Sequence, residues 1–508
     1  MTERIEPPAQ SKPHQAIEII GWSLCLFVPF GAFFMLRDAG MPSNSAVFLA
    51  IISLPLVMWP FSLLPDFVPG LLAVVMILLV GAAPPEIVLS GFASYGYLLI
   101  IAILGLGALI RTSGLVNRCA ALMIQRLPGN VMAYAGTLFF GGLLLTPFLP
   151  SPAGRLAVVA PLVAQLEERV GGQIGKRGRS LIFMSGLDGV TLLTAAFLTA
   201  APVNLIVYSM LPQQERVAFQ FVDWVIASSV AIGVMVVGYV MIVLLVAFDA
   251  TKIRKSETEG IGETTKPLSR QEFQSLANNQ SIENDQTSSS KEQAGPLSQR
   301  EWGAISGIVL LGIGVLTTPI HLIPAPVLAF LILGLLFSVQ IMQKSDFVSE
   351  IDWSFIFLLG ALVGFTNTAA FLGLTDLLVS EISWLGDILR QDFGTFVLIL
   401  AGVIVAARIV VPQTAVTLVL VTALLPLAEA SGVSAWVVGF SILMLNDALI
   451  FDFQSPMHVA YRNATTIGRN PDRTISLTRL TIQRIAILGL RIGAIYVSIP
   501  FWKSMGVL

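Results

Sequence analysis

The sequence predicts an all-α integral membrane protein with about 11 transmembrane helices and two re-entrant hairpins, arranged as two inverted repeats. Three observations lead to this fold class. The composition is that of a chain embedded in lipid, and four long apolar segments are interrupted by proline and polar residues. The basic residues also cluster in loops that one particular topology places on a single side of the membrane.

Composition decides the class of protein. The chain has 508 residues, of which 55% are hydrophobic and only 12% are charged, and its mean hydropathy is +0.82. Because soluble domains carry about 25% charged residues, most of this chain is expected to lie in lipid. The formal net charge is −2, so membrane lipid, and not nucleic acid, is the predicted main partner.

Apolar runs long enough to cross a bilayer, which takes roughly 20 residues, account for most of the chain. The uninterrupted candidates are 17–36, 46–63, 68–84, 95–111, 221–248, 302–320, 326–342, 352–378 and 478–502. Four further segments are apolar but interrupted. We interpret 131–168 and 394–430 as hairpins, and 179–211 and 433–461 as broken helices.

A polar segment divides the chain into two halves. Residues 251–301 are rich in Ser, Gln and Glu and nearly balanced in charge, which is typical of a disordered linker. The segment 1–16 is polar as well and has no cleavable signal pattern. We therefore expect a tail at 1–16 and a linker at 251–301, both cytoplasmic.

Positive charge predicts the orientation, because loops rich in Lys and Arg stay on the cytoplasmic side. The basic clusters consist of Arg111, Arg118, Arg126, Lys176, Arg177, Arg179, Lys252, Arg254, Lys255, Arg462, Arg469, Arg473 and Arg479. They share one face only if 131–168 and 394–430 are re-entrant. The N-terminus is then cytoplasmic and the C-terminus outside, in an inner (plasma) membrane.

The order of hairpin followed by broken helix occurs twice, with helix-breaking residues at matching places. The first tip is Ser151-Pro152-Ala153-Gly154, and the first break is Ala201-Pro202-Val203-Asn204. The second tip is Pro412-Gln413-Thr414-Ala415, and the second break is Ser455-Pro456-Met457-His458. Inverted repeats with broken helices at the midplane are typical of secondary transporters.

Interrupted helices predict an anion site. Backbone groups at a tip or a break survive in a membrane only inside protein or beside a wet cavity, and helix N-termini attract anions. The predicted binding residues are Ser151, Pro152, Ala153, Gly154, Arg155, Asn204, Gln413, Thr414, Ala415, Ser455, Pro456 and His458. Candidates for holding a coupling proton or sodium are Thr199, Pro202, Asp452 and His458.

With these motifs the chain resembles the divalent anion/sodium symporter family over most of residues 46–500. PPEIVLSGFASYGYLLIIAILGLGALIRTSGL looks like its early spans, and LLPLAEASGVSA looks like the outgoing arm of its second hairpin. Pro161 and Pro426 support the register. The resemblance implies transport of citrate, succinate, other dicarboxylates or sulfate by an elevator mechanism in a homodimer. It also implies scaffold helices at 17–126 and 302–378 that carry transport-domain halves 131–248 and 394–508.

The chain departs from the family at both tips. The family has Ser-Asn-Thr there, whose oxygens and neighbouring carbonyls hold substrate and sodium. Here Pro152 and Gln413 stand in place of the two asparagines. These departures argue against sodium coupling, since some relatives are sodium-independent exchangers, and no other cofactor is predicted.

Ionisable residues inside the predicted spans have two interpretations. In the first, Arg155 and Arg408 bind the anion while His458 or Asp452 takes a proton. In the second, pairs of Asp and Arg neutralise each other and lock helices together, with Asp188 and Asp447 as the acidic members.

Several functions remain open at the level of sequence. One is a transporter of di- or tricarboxylates. Another is a proton-coupled symporter or an exchanger for sulfate- or sulfonate-type anions. Outside this class stand an anion channel and an intramembrane enzyme. We expect no enzyme, because no nucleophile elbow, phosphate-binding loop or Cys/His metal spacing occurs.

Overall fold

The computed structural model describes residues 12–61, 63–65, 67–115, 118, 131–170, 176–258, 296–321, 323, 325–409, 411, 413–448, 454–465 and 477–508. Throughout this part of the chain the regular structure is helical, so the predicted all-α class is confirmed. Five helices are long and apolar enough to cross a membrane, and shorter apolar helices accompany them. The exact number of spans stays a prediction.

The helices of the first half follow the predicted order. They are α1 (Lys12–Asp38), α2 (Ser43–Phe61), α3 (Phe67–Val80), α4 (Pro85–Val88), α5 (Tyr95–Thr112), α6 (Val131–Leu145), α7 (Pro152–Val170), α8 (Lys176–Thr191), α9 (Pro202–Met210), α10 (Gln213–Ala218) and α11 (Phe221–Thr258). Single 3-10 turns lie at Ser90–Ala93, Thr194–Ala196 and Leu198–Ala200. We call α6 with α7 the first hairpin, and α8 with α9 the first broken helix.

The second half repeats this order. Its helices are α12 (Gln299–Leu316), α13 (Thr318–His321), α14 (Ala325–Ser338), α15 (Lys344–Glu350), α16 (Trp353–Phe371), α17 (Leu374–Glu381), α18 (Ser383–Gln391), α19 (Phe393–Ala407), α20 (Gln413–Ala430), α21 (Ala435–Asn446), α22 (Pro456–Ala464) and α23 (Leu477–Ser504). We call α19 with α20 the second hairpin, and α21 with α22 the second broken helix.

The predicted linker is shorter at both ends than its composition suggests. Helix α11 continues to Thr258, and α12 already begins at Gln299. The extension at 251–258 contains Lys, Arg and Glu, which are good helix formers, and it ends before Gly260. Composition therefore predicted the start of the linker too early and its end too late. Residues 259–295 lie outside the described part of the chain.

Side chains at the helix starts account for several of the observed boundaries. Ser94 accepts a hydrogen bond from the backbone N–H of Tyr97 at the start of α5. Asp352 and Asp392 accept the equivalent hydrogen bonds at the starts of α16 and α19. These caps satisfy backbone donors that lack a partner within the helix. Local sequence therefore fixes where these helices begin.

Each short helix packs against the hairpin of the other half. Helix α9 contacts α20, and α22 contacts α7. The Tyr461 hydroxyl of α22 also donates to the carbonyl of Phe183 in α8, at 3.0 Å. This reciprocal packing brings the two tips and the two breaks to the same region of the molecule.

An aromatic cluster joins the two halves at one end of the bundle. Trp436 stacks between Phe219 and Phe440, with ring centroids 4.8 and 5.0 Å apart. Trp224 and Trp502 meet Trp436 edge-on. All three indoles are fully buried. Stacked and edge-to-face rings are favourable beyond the area they bury, so this cluster anchors α21 between α11 and α23.

Glu215 in α10 stabilises the start of α21. Its carboxylate accepts hydrogen bonds from the backbone N–H groups of Ala435 (3.0 Å) and Trp436 (2.7 Å). We expect Glu215→Ala to lower the free energy of unfolding by about 1–2 kcal/mol, because two helix N-terminal donors lose their anionic cap. Thermal melting of the purified protein in detergent measures this, with the exposed Glu429→Ala as control. Equal melting temperatures for the two variants would contradict the prediction.

Candidate functional site

The predicted first tip, residues 151–154, includes the start of α7 and the end of a turn at residues 146–151. From here on, the first tip denotes residues 146–154. The Ser151 hydroxyl accepts a hydrogen bond from the backbone N–H of Gly154 at 3.2 Å, and Pro152 occupies the first helical position. A serine cap followed by proline is a strong helix start. The local sequence thus directs the N-terminus of α7 into the interior of the molecule.

Two 3-10 turns lie between α8 and α9, at residues 194–196 and 198–200, and Pro202 then starts α9. From here on, the first break denotes residues 194–204, which include the predicted break at 201–204. Asn204 stabilises it, because its Nδ2 donates to the carbonyls of Thr194 (2.7 Å) and Phe197 (2.8 Å). The Thr199 hydroxyl donates to the carbonyl of Pro147, at 2.8 Å, and so connects the break to the first tip. These two side chains stabilise non-helical backbone inside the protein.

The second tip and the second break are connected in a similar way. The Gln413 Nε2 donates to Asp447 Oδ1 at 2.9 Å. Asn446 Nδ2 donates to the carbonyl of Gln413 (2.8 Å) and to the hydroxyl of Thr417 (2.5 Å). Two amides therefore tie the start of α20 to the end of α21.

A cavity of about 320 Å³ lies where these four structures meet. Its wall contains Pro152, Pro202 and Gln413, the first residues of α7, α9 and α20, and also Ser455, which directly precedes α22. Four helix N-termini therefore border one cavity. Since each carries a partial positive charge, the cavity favours an anion.

Two arginines of the final helix add full positive charge to this wall. Arg484 and Arg491 lie two helical turns apart on α23, so both side chains project from one face. The Arg484 Nη2 is 3.3 Å from His458 Nδ1. Because arginine has no acceptor, a hydrogen bond at this contact requires Nδ1 of His458 to act as the acceptor.

Arg491 is bound more tightly into the structure than Arg484. Its Nη1 donates to the carbonyl of Met444 at 2.8 Å and lies 3.6 Å from Asp447 Oδ2. Its Nη2 reaches the carbonyls of Thr191 (3.4 Å) and Leu192 (3.3 Å). Arg491 therefore connects the end of α8 with the end of α21 while facing the cavity.

Three carboxylates line the cavity together with the two arginines. Asp188 lines the cavity and accepts a hydrogen bond from Gln483 Nε2, at 3.1 Å. Asp447 lines it too, between Gln413 and Arg491. Asp352, at the start of α16, is the acidic residue on the opposite wall, beside Ser354 and Phe355. Titratable groups of both signs therefore surround this space.

The structure brings together five of the twelve predicted binding residues. Those that line the cavity are Pro152, Gln413, Thr414, Ser455 and His458, together with Pro202 from the predicted coupling residues. Those placed away from its wall are Ser151, Ala153, Gly154, Arg155, Asn204, Ala415 and Thr199. Pro456 contributes the first residue of α22. Asp452 and Pro412 lie outside the described residues.

Arg155 differs most from its predicted position. The side chain is fully buried, does not line the cavity, and donates hydrogen bonds to backbone oxygens of the first tip and the first break. A residue in the first turn of a helix can face either the ligand or neighbouring segments of the same chain. Arg155 packs against the first break, so it faces those segments.

Sequence reasoning missed Arg484 and Arg491. The signal was available, because two arginines seven residues apart in an otherwise apolar span are rare and usually functional. The last span contains no tip or break, so the helix-breaker pattern gives no indication that its arginines line the site.

A second cavity, of about 440 Å³, lies between α2, α16, α17 and α20. Its wall is almost entirely apolar, and Glu381 is the one ionisable residue among the lining residues that the structure describes. The two cavities are similar in size. Convergent polar groups select the first one as the candidate binding site.

Known proteins resemble this chain at the levels of sequence and fold. Residues 16–467 match the family described as "Sodium:sulfate symporter transmembrane region". The chain belongs to this family, the divalent anion/sodium symporters, and is an integral, multi-pass membrane protein. The predicted family membership is thereby confirmed.

Two individual proteins can be compared with it. The putative malate transporter YflS of Bacillus subtilis (strain 168) is 24% identical over 222 residues, which are 42% of this chain and 46% of that protein. The match thus spans about half the length of the curated relative. The YdaH transporter of Alcanivorax borkumensis has a similar fold, with a TM-score of 0.52 at 15% identity over 92% of this chain and 99% of that one.

The family description names sodium, which binds to oxygen ligands such as backbone carbonyls and carboxylates. At the first tip the converging carbonyls already accept hydrogen bonds from Arg155. Among the described residues, no three His, Cys, Asp or Glu side chains are grouped to hold a metal. The residues at this tip therefore do not fit a sodium ion.

Proposed function

We propose that this protein is a secondary active transporter of small anions of the di- or tricarboxylate type. The observation that carries the proposal is the cavity bordered by four helix N-termini and by Arg484 and Arg491. Its volume of about 320 Å³ is at the lower end of small-molecule sites, which span about 300–1,000 Å³. The family description names sulfate and the relative named above is described as a malate transporter, so both support a small divalent anion as the substrate.

The proposed mechanism is an elevator. The cavity is lined by residues of the hairpins, the broken helices and α23, and also by Asp352, Ser354, Phe355 and Leu358 at α16, which falls in the predicted scaffold. A site at the boundary of two bodies changes its exposure when one slides against the other. The bound anion would offset the positive charge of the four helix N-termini and of Arg484 and Arg491, which lowers the barrier to crossing lipid.

Within this proposal the partners are the anion, a counter-anion or coupling ion, lipid and a second copy of the chain in a homodimer. The N-terminus is cytoplasmic and the C-terminus outside, as the basic loops predict. The poor fit of sodium at the first tip favours anion exchange.

Counterflow in proteoliposomes tests the proposal. Vesicles preloaded with unlabelled malate, succinate or sulfate are expected to accumulate the labelled anion faster than empty vesicles, because the loaded carrier returns faster. The control is an equal amount of the Arg484→Ala variant. An anion channel gives no such stimulation by internal substrate, and an enzyme changes the label chemically. Either result contradicts a transporter.

Proton coupling is a second candidate, favoured by the four titratable groups Asp188, Asp352, Asp447 and His458 in the cavity wall. If His458 takes the proton, Nδ1 can no longer accept a hydrogen bond from Arg484, and the positive charge facing the anion increases. The His458→Asn variant is then expected to flatten the pH dependence of uptake between about pH 5 and 8. A superimposable pH profile for variant and parent excludes this role.

A further inference from the structure

The guanidinium of Arg155 is enclosed by oxygen atoms. Its exposed fraction is 0%. The Nη1 donates to the carbonyls of Leu149 (2.6 Å), Ala200 (2.6 Å) and Thr146 (3.4 Å). The Nε donates to the carbonyl of Val190 (2.9 Å), and the Nη2 donates to the Thr194 hydroxyl (3.2 Å). We call these five groups the oxygen cage. Its ligands are four neutral carbonyls and one neutral hydroxyl.

The cage has the chemistry of a cation site. Converging carbonyl dipoles stabilise a monovalent cation, as they do in the filters of cation channels. Among the described residues Arg155 forms no ion pair with a carboxylate within 4.0 Å. Five neutral oxygens therefore contact this buried cation directly, while the carboxylate of Asp447 interacts with it electrostatically from beyond ion-pair distance.

The cage also joins the two structures that form the first half of the candidate site. Thr146 and Leu149 belong to the first tip, whereas Val190, Thr194 and Ala200 lie at the end of α8 and in the first break. Without a cation between them, carbonyls of both segments would face each other unpaired, which is unfavourable in a buried position. One cation thus holds the N-termini of α7 and α9 in position beside the cavity.

We propose that Arg155 is a covalently tethered cation that takes the place of a free monovalent metal ion between the first tip and the first break. The chain then needs no sodium to organise this half of its anion site. The consequence of this inference for transport rests on the proposed function. The cage itself can be tested without any transport assay.

The test uses the purified full-length protein in detergent. Melting temperatures of the parent and of Arg155→Ala are compared in choline chloride, sodium chloride and methylguanidinium chloride of equal ionic strength. We expect no difference among salts for the parent. For Arg155→Ala, we expect sodium or methylguanidinium to raise the melting temperature by roughly 2–4 °C, because a ligand that binds only the folded state stabilises it.

Two control variants separate the cage from a general effect of arginine loss. Arg155→Lys keeps a tethered cation and should remain insensitive to the choice of salt. Arg216→Ala removes a half-buried arginine that donates to the carbonyl of Ser209 outside the cage, so it should also remain insensitive. If Arg155→Ala can be purified only in sodium or methylguanidinium, this supports the proposal.

Three results would overturn it: equal melting of Arg155→Ala in all three salts, failure to recover that variant in any of them, or stabilisation of the parent by sodium. A counterflow assay in choline and in sodium then tests the consequence for transport. Arg155→Ala should need sodium for uptake of the anion, whereas the parent should transport equally well in both salts. If the parent transports no anion at all, the proposed function fails while the melting comparison still reports on the cage.

Discussion

Arg484→Ala is expected to lower anion uptake by about 10- to 150-fold at low substrate concentration, with the protein still folded. A hydrogen bond to a charged group contributes about 1.5–3 kcal/mol, and each 1.4 kcal/mol is about a factor of ten in binding. Arg484 faces the cavity from the final helix, next to His458. Initial uptake rates in proteoliposomes, with size-exclusion profiles as the measure of folding, check the prediction.

Arg484→Lys and Arg491→Ala provide the comparison for this variant. Lysine retains the charge without the planar fork of donors, so a smaller loss is expected. Arg491 also donates to backbone carbonyls at the ends of α8 and α21, so Arg491→Ala should lower the melting temperature as well as uptake. Unchanged uptake in Arg484→Ala would remove this residue from the binding site.

Gly142→Val is expected to abolish recovery of folded protein. A Cβ at Gly142 would lie 2.6 Å from the carbonyl carbon of Gly189, and one at Gly189 would lie 2.7 Å from the carbonyl oxygen of Phe139. Helices α6 and α8 therefore touch backbone to backbone, an arrangement that only small residues allow in membranes. Forcing side-chain atoms into such a contact costs at least about 1–3 kcal/mol and separates the first hairpin from the first broken helix.

Gly136→Val on the same helix is the matched control, since no atom lies within 4 Å of a Cβ built at Gly136. The fraction of monodisperse protein after detergent extraction compares the two variants. Comparable recovery of both would show that the close approach of α6 and α8 is not required for folding.

Much of the fold follows from local sequence. The long apolar runs require helices in lipid because backbone groups find no other partners there. Proline and serine at 151–152 and proline at 202 interrupt those helices at positions that chain chemistry dictates. The matching order in the two halves also indicates that the interruptions share one location. These features could be predicted from the sequence because each depends on residues that lie near one another in the chain.

The candidate site was only partly predictable for the same reason. Ala153 and Gly154 lie next to Pro152 in sequence, yet Pro152 alone among these three lines the cavity. Adjacent residues of a helix point about 100° apart, and a local pattern does not fix the rotation of a helix about its axis. Packing against distant segments fixes it, and so the identity of the lining residues could not be read from the tip motif.

The sequence by itself determined that this chain is a helical membrane protein with two hairpins and two broken helices, since apolar length and helix breakers act locally. The tertiary structure alone decided which cations serve which role. Arg155 turns into a cage formed by segments up to residue 200, whereas Arg484 and Arg491 reach the cavity from the final helix. A charge takes its role from the groups that surround it, and here those groups come from distant parts of the chain.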